Sequence, residues 1–337
     1  MRNHASKRFR TLLAAVGAVL LGAAFLAPAG SAGAHTREHW STTWRVHVGT
    51  QSPNGAIQGM QFLPGDIWIN VGDTVRWTAD SMEPHTVTFL PVGQLPPPFD
   101  PTDARQTMPT PQHSIWAPGQ VRNSGVLSTL QFSELPATYT SYKLKFKGTG
   151  DYVYYCLIHG KAMKGVVHVA PAGTPYPHRQ SFYDRQFRTG QAETIHDGYR
   201  LYADLRQESS RHHVFVGAVD EAGMFMIMRF IRTTVRVHVG DTIDFDWSQN
   251  NGDPVPHTVT FGPEPAAPIP VGDPTHFTGG ALSSGVLPTA GPGAHFRVTF
   301  DKAGTFPYIC MFHDGMGMVG KVIVTRDHHH HHHHHHD

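Results

Sequence analysis

The sequence predicts an all-β protein made of two similar Greek-key sandwich or barrel domains in tandem. Two observations carry this prediction: an internal repeat whose blocks recur in one order, and short segments in which apolar and polar residues alternate. These segments are rich in β-branched and aromatic residues, are separated by Gly, Pro, Asn and Asp, and lack long helical periodicity. Many short strands with turn signals between them are typical of Greek-key β domains.

Four blocks define the repeat. They pair Val71-Gly-Asp-Thr-Val-Arg-Trp77 with Val239-Gly-Asp-Thr-Ile-Asp-Phe245, Pro84-His-Thr-Val-Thr-Phe89 with Pro256-His-Thr-Val-Thr-Phe261, Ser124-Gly-Val-Leu127 with Ser284-Gly-Val-Leu287, and Gly150-Asp-Tyr-Val-Tyr-Tyr-Cys156 with Gly304-Thr-Phe-Pro-Tyr-Ile-Cys310. Since all four pairs keep the same order, the sequence indicates a duplicated domain.

The repeat sets the expected domain boundaries. We predict one domain over residues 35–170 and a second over 211–326, joined by a polar linker over 171–210 with a short helix near Tyr199 to Gln207. The first domain also carries a Pro-rich insertion, Pro91 to Gln120. We expect this insertion to be a loop that serves as a partner surface or as a simple elaboration of the domain.

The two ends of the chain have their own patterns. Residues 1–34 combine basic residues, an apolar run over 11–27 and small residues ending at Ala34, which predicts a secretory signal peptide cleaved there. A retained membrane anchor is the weaker interpretation, because the apolar stretch barely reaches a bilayer's width and no later segment is long enough to span one. The mature protein is therefore expected to be secreted or periplasmic. Residues 327–337 contain the run His328–His336, which is either an expression tag or a native metal-collecting tail.

The balance of charges restricts the classes of partner. The 337 residues contain 27 Lys plus Arg and 26 Asp plus Glu, so the chain lacks a strong field for nucleic acid or an anionic membrane. The sequence leaves the oligomeric state open, a homo-oligomer included.

Each of the two cysteines stands in a cluster of metal-binding residue types. One cluster is Cys156-Leu-Ile-His159 followed by Met163; the other is Cys310-Met-Phe-His313 followed by Met316 and Met318. A distant histidine, His85 or His257, precedes each cluster. One thiolate, two imidazoles and a weak thioether suit a one-electron copper site. A disulfide between the cysteines, or a zinc site, fits the neighbouring residues less well.

Both copies resemble cupredoxins, the family of plastocyanin, pseudoazurin and amicyanin, over roughly residues 40 to 170 and 211 to 325. The resemblance implies two type 1 copper sites, with ligands His85, Cys156, His159 and Met163 in the first and His257, Cys310, His313 and Met318 in the second. Met316 competes with Met318, which we prefer because Met-x-Gly-x-Val begins at both Met163 and Met318. Thr86 and Thr258 stand where the family often has an Asn that joins two loops.

The resemblance implies an exported blue copper electron-transfer protein that cycles Cu(I)/Cu(II) between a redox protein donor and acceptor, without catalytic residues. Two alternatives are a two-domain multicopper oxidase or nitrite reductase-like enzyme with an additional interdomain copper, and a copper-scavenging protein. The enzymes supply their extra copper through His-x-His pairs and a histidine beside the cysteine. Here Tyr155 and Ile309 precede the two cysteines, and no His-x-His pair occurs before the terminal run.

Other histidines and methionines are assigned more modest roles. We expect surface or satisfied positions for His47, His168, His238 and His295. An N-terminal copper site at His35, with His39 nearby, is a weaker hypothesis because chain ends are usually mobile. Met224, Met226 and Met228 alternate along a strand, and we expect them to serve core packing rather than a copper-handling face.

Overall fold

The computed structural model of the protein describes residues 41–132, 135–250, 255–287 and 292–326. The predicted signal peptide, His35, His39 and the run His328–His336 lie outside the described residues. Within the described residues, no helix is both long enough and apolar enough to cross a membrane.

The first repeat consists of short strands and one short helix. These are β1 (Thr43–Gln51), β2 (Ile57–Leu63), β3 (Asp66–Asn70), β4 (Thr74–Ala79), β5 (Thr88–Phe89), α1 (Ala104–Thr107), β6 (Ser114–Ile115), β7 (Arg122–Asn123), β8 (Ser141–Phe146), β9 (Gly150–Tyr155) and β10 (Lys164–Ala170). One sheet has the order β2-β1-β4-β8-β6 and the other β3-β10-β9-β5-β7. Alternate strand residues are buried, as the period-two pattern predicts.

The second repeat follows the helix α2 (Gln180–Glu208). Its strands are β11 (His213–Val219), β12 (Phe225–Ile231), β13 (Thr234–His238), β14 (Thr242–Asp246), β15 (Thr260–Phe261), β16 (Pro270–Val271), β17 (Leu282–Ser284), β18 (His295–Thr299), β19 (Gly304–Ile309) and β20 (Val319–Thr325). One sheet has the order β12-β11-β14-β18 and the other β13-β20-β19-β15-β17-β16. The prediction of two all-β domains in tandem is confirmed.

One sheet runs without interruption through both repeats. Strand β2 pairs antiparallel with β12, and Gln58 stands opposite Met226. At the spacing of the repeated Val-Gly-Asp-Thr block, these two residues occupy the same position in their repeats. A local twofold axis therefore passes between them, and the two repeats pack as one compact unit.

The same aromatic cluster stabilises each sandwich. In the first repeat, Tyr154 packs edge-on against Trp77 with ring centroids 5.4 Å apart; in the second, Tyr308 packs against Phe245 at 5.2 Å. Such edge-to-face contacts add about 0.5–1.5 kcal/mol beyond burial of apolar area. Both clusters lie under the loops that carry the cysteines.

The glycine of each Met-x-Gly-x-Val sequence lies beneath one of these tyrosine rings. Gly165 is opposite Tyr154 in the β9–β10 ladder, and Gly320 is opposite Tyr308 in the β19–β20 ladder. A Cβ at either glycine would overlap the ring. The glycine of the repeated sequence therefore leaves space for the tyrosine ring and lets the strand after the methionine pack closely on the core.

The linker contains a much longer helix than the short one expected near Tyr199. The 29-residue helix α2 packs on β1, β2 and β12 through a strip of small residues spaced four apart: Gly190, Thr194 and Gly198. Gly190 faces Leu63 and Gly198 faces Ile57 on β2. Tyr183 and Leu205 near the two ends of the helix are also buried, but the middle of the contact strip consists of small residues, so hydrophobic periodicity revealed only the part near Tyr199.

The Pro-rich insertion of the first repeat is largely irregular but contacts both sheets, and the Thr110 N–H donates to the carbonyl of Asn123 on β7 at 2.9 Å. Strand β6 pairs in parallel with β8, with Ser114 opposite Lys145. Around it, Val92 is 80% exposed and Trp116 is 57% exposed. The Lys147 ammonium lies 4.4 Å from the centroid of the Trp116 ring and partly covers this indole.

A partly buried ion pair on the second repeat makes stability depend on pH. His213 Nε2 lies 2.9 Å from Asp246 Oδ2, and this hydrogen bond raises the pKa of His213. Burial raises the pKa of Asp246, but the bonds from His213 and Ser248 hold it below its usual value. The raised histidine pKa means that its contribution is complete below the unfolded value of ~6.5 and is lost as pH rises through the folded value. The lowered aspartate pKa means that its contribution is present above ~3.9 and is lost on acidification through the folded value.

We expect His213→Gln to lower the free energy of unfolding more at pH 5.5 than at pH 9, by roughly 0.5 kcal/mol for such a partly exposed pair. Urea unfolding of both proteins at the two pH values measures this difference. An equal loss at both pH values would contradict the assignment.

Candidate metal centres

Each cysteine, with its histidine and methionine, lies on the loop of one β-hairpin. Cys156 directly follows β9 and Met163 directly precedes β10, and the Cys156 N–H donates to the Met163 carbonyl at 3.0 Å. In the second repeat, the Cys310 N–H donates to the Met318 carbonyl at 3.1 Å, between β19 and β20. We call residues 156–163 the first loop and residues 310–318 the second loop. Each closes with one backbone hydrogen bond, so its donor side chains are held together.

The distant histidine of the first repeat lies against the first loop. His85 exchanges two backbone hydrogen bonds with Leu127, at 2.9 and 2.7 Å. Its Nδ1 lies 3.1 Å from His159 Nδ1 and 4.0 Å from Cys156 Sγ, while His159 Nδ1 lies 3.3 Å from that sulfur. We call this buried group of His85, Cys156 and His159 the first centre.

The second repeat contains the same group, which we call the second centre. His257 Nδ1 lies 3.0 Å from His313 Nδ1, and these atoms lie 3.7 and 3.4 Å from Cys310 Sγ. All three residues are buried. Both cysteines are free thiols, so the disulfide interpretation does not describe the structure.

The electrostatics of the second centre favour a thiolate. Burial alone raises the pKa of the Cys310 thiol, but His313 and His257 hold it well below its usual value. Burial lowers the pKa of His313, yet the neighbouring Cys310 raises it overall. Burial also lowers the pKa of His257 and leaves its Nδ1 lone pair available. A deprotonated sulfur beside a neutral imidazole is the state that binds a metal ion.

The pKa values of the two histidines of the first centre shift in the same directions as those of the second, with one difference in their surroundings. Burial, followed by the charge of His159, lowers the pKa of His85 well below its usual value. Burial lowers the pKa of His159, but Cys156 and then Glu83 raise it overall. The Glu83 carboxylate lies 3.4 Å from His159 Nε2. Glu83 thus lies beside the site, although sequence analysis did not select it.

Threonine joins the two segments of each centre. Thr86 N–H points to Cys156 Sγ at 3.4 Å, and Thr86 Oγ1 accepts a hydrogen bond from Leu157 N at 2.8 Å. In the second repeat, Thr258 N–H lies 3.5 Å from Cys310 Sγ and Thr258 Oγ1 accepts from Met311 N at 2.9 Å. The threonine hydroxyl therefore joins the two segments at the position where the resemblance implies an Asn.

We expect Thr86→Val to destabilise the first centre while leaving the second unchanged. Valine fills a similar volume but leaves the buried Leu157 N–H without an acceptor, at a cost of about 1–3 kcal/mol. Urea unfolding, together with the copper spectrum of each centre, measures this loss. Thr258→Val is the matched variant for the second centre. A change below ~0.5 kcal/mol, the usual range for surface substitutions, would contradict the role.

The three methionines near the loops differ in their surroundings. Met163 is buried in the same apolar cluster as Cys156, and Met318 in the same cluster as Cys310. Met316 instead packs with the core of the first repeat, and its carbonyl accepts from Arg229 Nη1 at 2.8 Å. This packing favours Met318 over Met316 as the counterpart of Met163.

The remaining histidines that the sequence singled out have carboxylate neighbours. His47 pairs with Asp80 at 2.5 Å, His168 with Asp151 at 2.7 Å, His295 with Asp244 at 3.1 Å, and His238 lies 3.8 Å from Asp241. Met226 and Met228 are buried in the core, whereas Met224 is 37% exposed. Within the described residues, groups of at least three His, Cys, Asp or Glu side chains with converging ligand atoms occur at these two centres.

Glycines give the distant histidines their space. Gly49 and Gly217 both have φ near +70° and lie beneath the imidazoles of His85 and His257. A Cβ at either position would overlap Nε2 of that imidazole. These glycines precede no recognisable motif, so sequence analysis did not select them. The available signal in the sequence is that both glycines occupy the same position in their repeats, at the spacing of the Val-Gly-Asp-Thr block.

Several known copper proteins are similar to parts of this chain. A chloroplastic plastocyanin from Tetradesmus obliquus is 39% identical over 95 residues, which are 28% of this chain and 57% of that protein. The chain therefore spans less than two thirds of that relative. Amicyanin from Paracoccus versutus is 19% identical over 38% of this chain and 81% of its own, with a TM-score of 0.22. Oxidised plastocyanin from Dryopteris crassirhizoma is 23% identical over 37% of this chain and 99% of its own, with a TM-score of 0.23.

The sequence pattern of one family covers both repeats. The family described as copper binding proteins, plastocyanin/azurin family, matches residues 48–170 and 218–325, which is more than half of the chain. Each match contains one complete His–Cys–His group, whose soft sulfur and imidazole donors fit copper. This chain thus belongs to the plastocyanin/azurin family of copper-binding proteins and carries two copies of its domain.

Proposed function

We propose that this chain is an exported electron carrier that holds two mononuclear type 1 copper ions. The ligands would be His85, Cys156, His159 and Met163 at the first centre and His257, Cys310, His313 and Met318 at the second. The observation that carries the proposal is the occurrence of the same buried His–Cys–His group in both repeats of a copper-binding family. The partners would be a redox protein donor and a redox protein acceptor.

The surroundings of each centre suit electron transfer. Copper supplies a one-electron Cu(I)/Cu(II) couple to such a donor set. The protein would keep the ligands in place through the change of charge, since His85 is held by two bonds to Leu127 and the Cys156 sulfur faces the Thr86 N–H. Ligands that move little reduce the structural rearrangement that accompanies each electron transfer.

Export is proposed from the sequence of residues 1–34. The order of basic, apolar and small residues supports removal of this segment after Ala34. N-terminal sequencing of protein recovered from outside the cytoplasm tests this point, and His35 is the expected first residue. An intact Met1 in the exported protein would contradict cleavage.

A redox titration of the copper-loaded protein tests the carrier function. We expect two copper ions per chain, an intense thiolate-to-copper absorption band, and reversible uptake and return of two electrons with both ions retained. A third copper ion with oxygen or nitrite turnover would replace the carrier by an enzyme. Transfer of the copper to a chelator on reduction would instead indicate a scavenging protein.

A further inference from the structure

We propose that electrons pass within the chain from the first centre to the second, and that Glu83 and Arg229 set this direction. The proposal rests on the proposed function, since it requires a copper ion at each centre. It adds a direction that neither the family nor the ligand sets supply. The first centre would be the internal donor with the lower potential, and the second would be the internal acceptor.

Both centres lie beside the contact between the repeats. The second loop approaches the β1–β2 turn of the first repeat, where a Cβ on Gly55 would lie 3.3 Å from the Met316 carbonyl oxygen. The first loop approaches the corresponding β11–β12 turn, where a Cβ on Gly223 would lie 3.8 Å from Ala162 Cβ. The local twofold axis between β2 and β12 therefore places each loop against the other repeat.

Glu83 is a buried carboxylate in this contact region. It is 5% exposed, and its Oε1 lies 3.4 Å from His159 Nε2. Its Oε2 is buried and has no hydrogen-bond partner among the described residues. In the second repeat, Val255 stands two residues before His257, as Glu83 stands two before His85. The repeats thus differ at this position by one negative charge.

The main chain at Glu83 is bound to the strand that pairs with the second repeat. The Glu83 N–H donates to Gln58 Oε1 at 3.2 Å, and Gln58 stands opposite Met226 in the β2–β12 ladder. The carboxylate itself contacts His159 directly. Glu83 therefore acts on the first centre and lies on the side of it that faces the second repeat.

Arg229 places the opposite charge beside the second loop. Its Nη1 donates to the Met316 carbonyl at 2.8 Å, and its Nη2 donates to the Asn54 carbonyl in the turn of the first repeat. The guanidinium is half-buried, and within the described residues no carboxylate lies within ion-pair distance of it. At the corresponding position of the first repeat stands the neutral Gln61.

These two charges act on the redox equilibria in opposite directions. Oxidised copper carries one more positive charge than reduced copper, so a nearby carboxylate stabilises Cu(II) and lowers the potential. A nearby guanidinium disfavours the additional charge and raises the potential. Glu83 is almost fully buried and Arg229 is half-buried, so the effect of each charge is less screened than that of a fully exposed surface charge.

The internal step is balanced without a further reactant. With copper held by the ligands of both centres, the first centre would give up one electron and the second would take up that same electron, so the oxidation of one ion would balance the reduction of the other. No proton is required and no bond between protein atoms forms or breaks. An external donor then refills the first centre, and an external acceptor empties the second.

Half-reduction of the copper-loaded wild-type chain tests the order directly. After addition of one electron per chain without oxygen, electron paramagnetic resonance should show mainly the Cu(II) signal of the first centre. Cys310→Ser and Cys156→Ser supply the reference signals of the first and second centres alone. A remaining signal from the second centre, or equal signals from both, would overturn the proposal.

Charge-removing variants test the two named residues. Glu83→Gln should shift the electron distribution toward the first centre about tenfold, equivalent to raising its potential relative to the second by ~59 mV. Arg229→Gln should shift the distribution in the same direction by lowering the second potential. Exposed Glu193→Gln on α2 is the control and should leave the distribution unchanged. An unchanged distribution in both test variants would overturn the roles of Glu83 and Arg229.

The spectra also distinguish failure of the proposed electron direction from failure of the proposed carrier function. Absence of the charge-transfer band from the wild-type chain would contradict the carrier function itself. Two intact bands with the reverse order of potentials would contradict only the internal direction. If Glu83→Gln does not fold, the half-reduced wild-type spectrum still decides the order.

Discussion

Cys156→Ser removes the first copper centre and leaves the second intact, so the intense visible band of the loaded chain falls by about half. A serine oxygen cannot supply the thiolate-to-copper charge transfer that produces this band. Cys310→Ser has the same effect on the second centre, and the double variant is colourless. Absorption spectra and copper content of the three variants, at equal protein concentration, measure these losses.

The matched control for these variants is Tyr155→Phe, which changes the neighbour of Cys156 without changing a proposed ligand. It should keep the full band. If each single cysteine variant also kept the full band, the ligand assignment would be wrong. If each single variant lost the entire band, the two centres would form one cooperative unit rather than separate sites.

Gly217→Ala disrupts the second centre by displacing His257. The left-handed backbone at Gly217 costs alanine roughly 1–2 kcal/mol, and overlap of its Cβ with the imidazole adds about 1–3 kcal/mol. Because His257 cannot move away without leaving Cys310, the ligand geometry changes and the second band shifts or disappears. Urea unfolding and the visible spectrum measure the two effects.

Gly240→Ala is the control for this substitution. Gly240 also has a positive φ, of 90°, but no atom lies within 4 Å of a Cβ built there. The control should lose only the backbone contribution and keep both copper bands. Gly49→Ala with Gly72→Ala forms the same test for the first centre. Equal stability losses and unchanged spectra in all four variants would contradict steric control of the histidines.

The repeat made most of the fold predictable. The blocks around Val71 and Val239 become equivalent strands β4 and β14, and the cysteines directly follow equivalent strands β9 and β19. The pairing of β2 with β12 was not predictable, because strand register between repeats depends on tertiary packing rather than on either segment alone. Most of helix α2 was missed for a related reason. Between the buried Tyr183 and Leu205, its strip of Gly190, Thr194 and Gly198 has no hydrophobic period to detect.

The candidate site was predictable where residue type alone limits the chemistry. Cys, His and Met at close spacing pointed to the two groups that the structure brings together, and the packing of Met316 adds support for Met318. Glu83 was not predictable, because a glutamate two residues before a histidine is unremarkable until the fold buries it against His159. The difference between Glu83 and Val255 has meaning only after the fold places both beside the contact between repeats.

Anomalous X-ray scattering at the copper absorption edge, from crystals of the copper-loaded chain, tests the two-centre assignment most directly. We expect two peaks, each within bonding distance of one cysteine sulfur and the Nδ1 atoms of its two histidines. The peaks should join His85, Cys156 and His159 in one repeat and His257, Cys310 and His313 in the other. A peak missing from either group, or a copper ion bound between the repeats instead, would contradict the assignment.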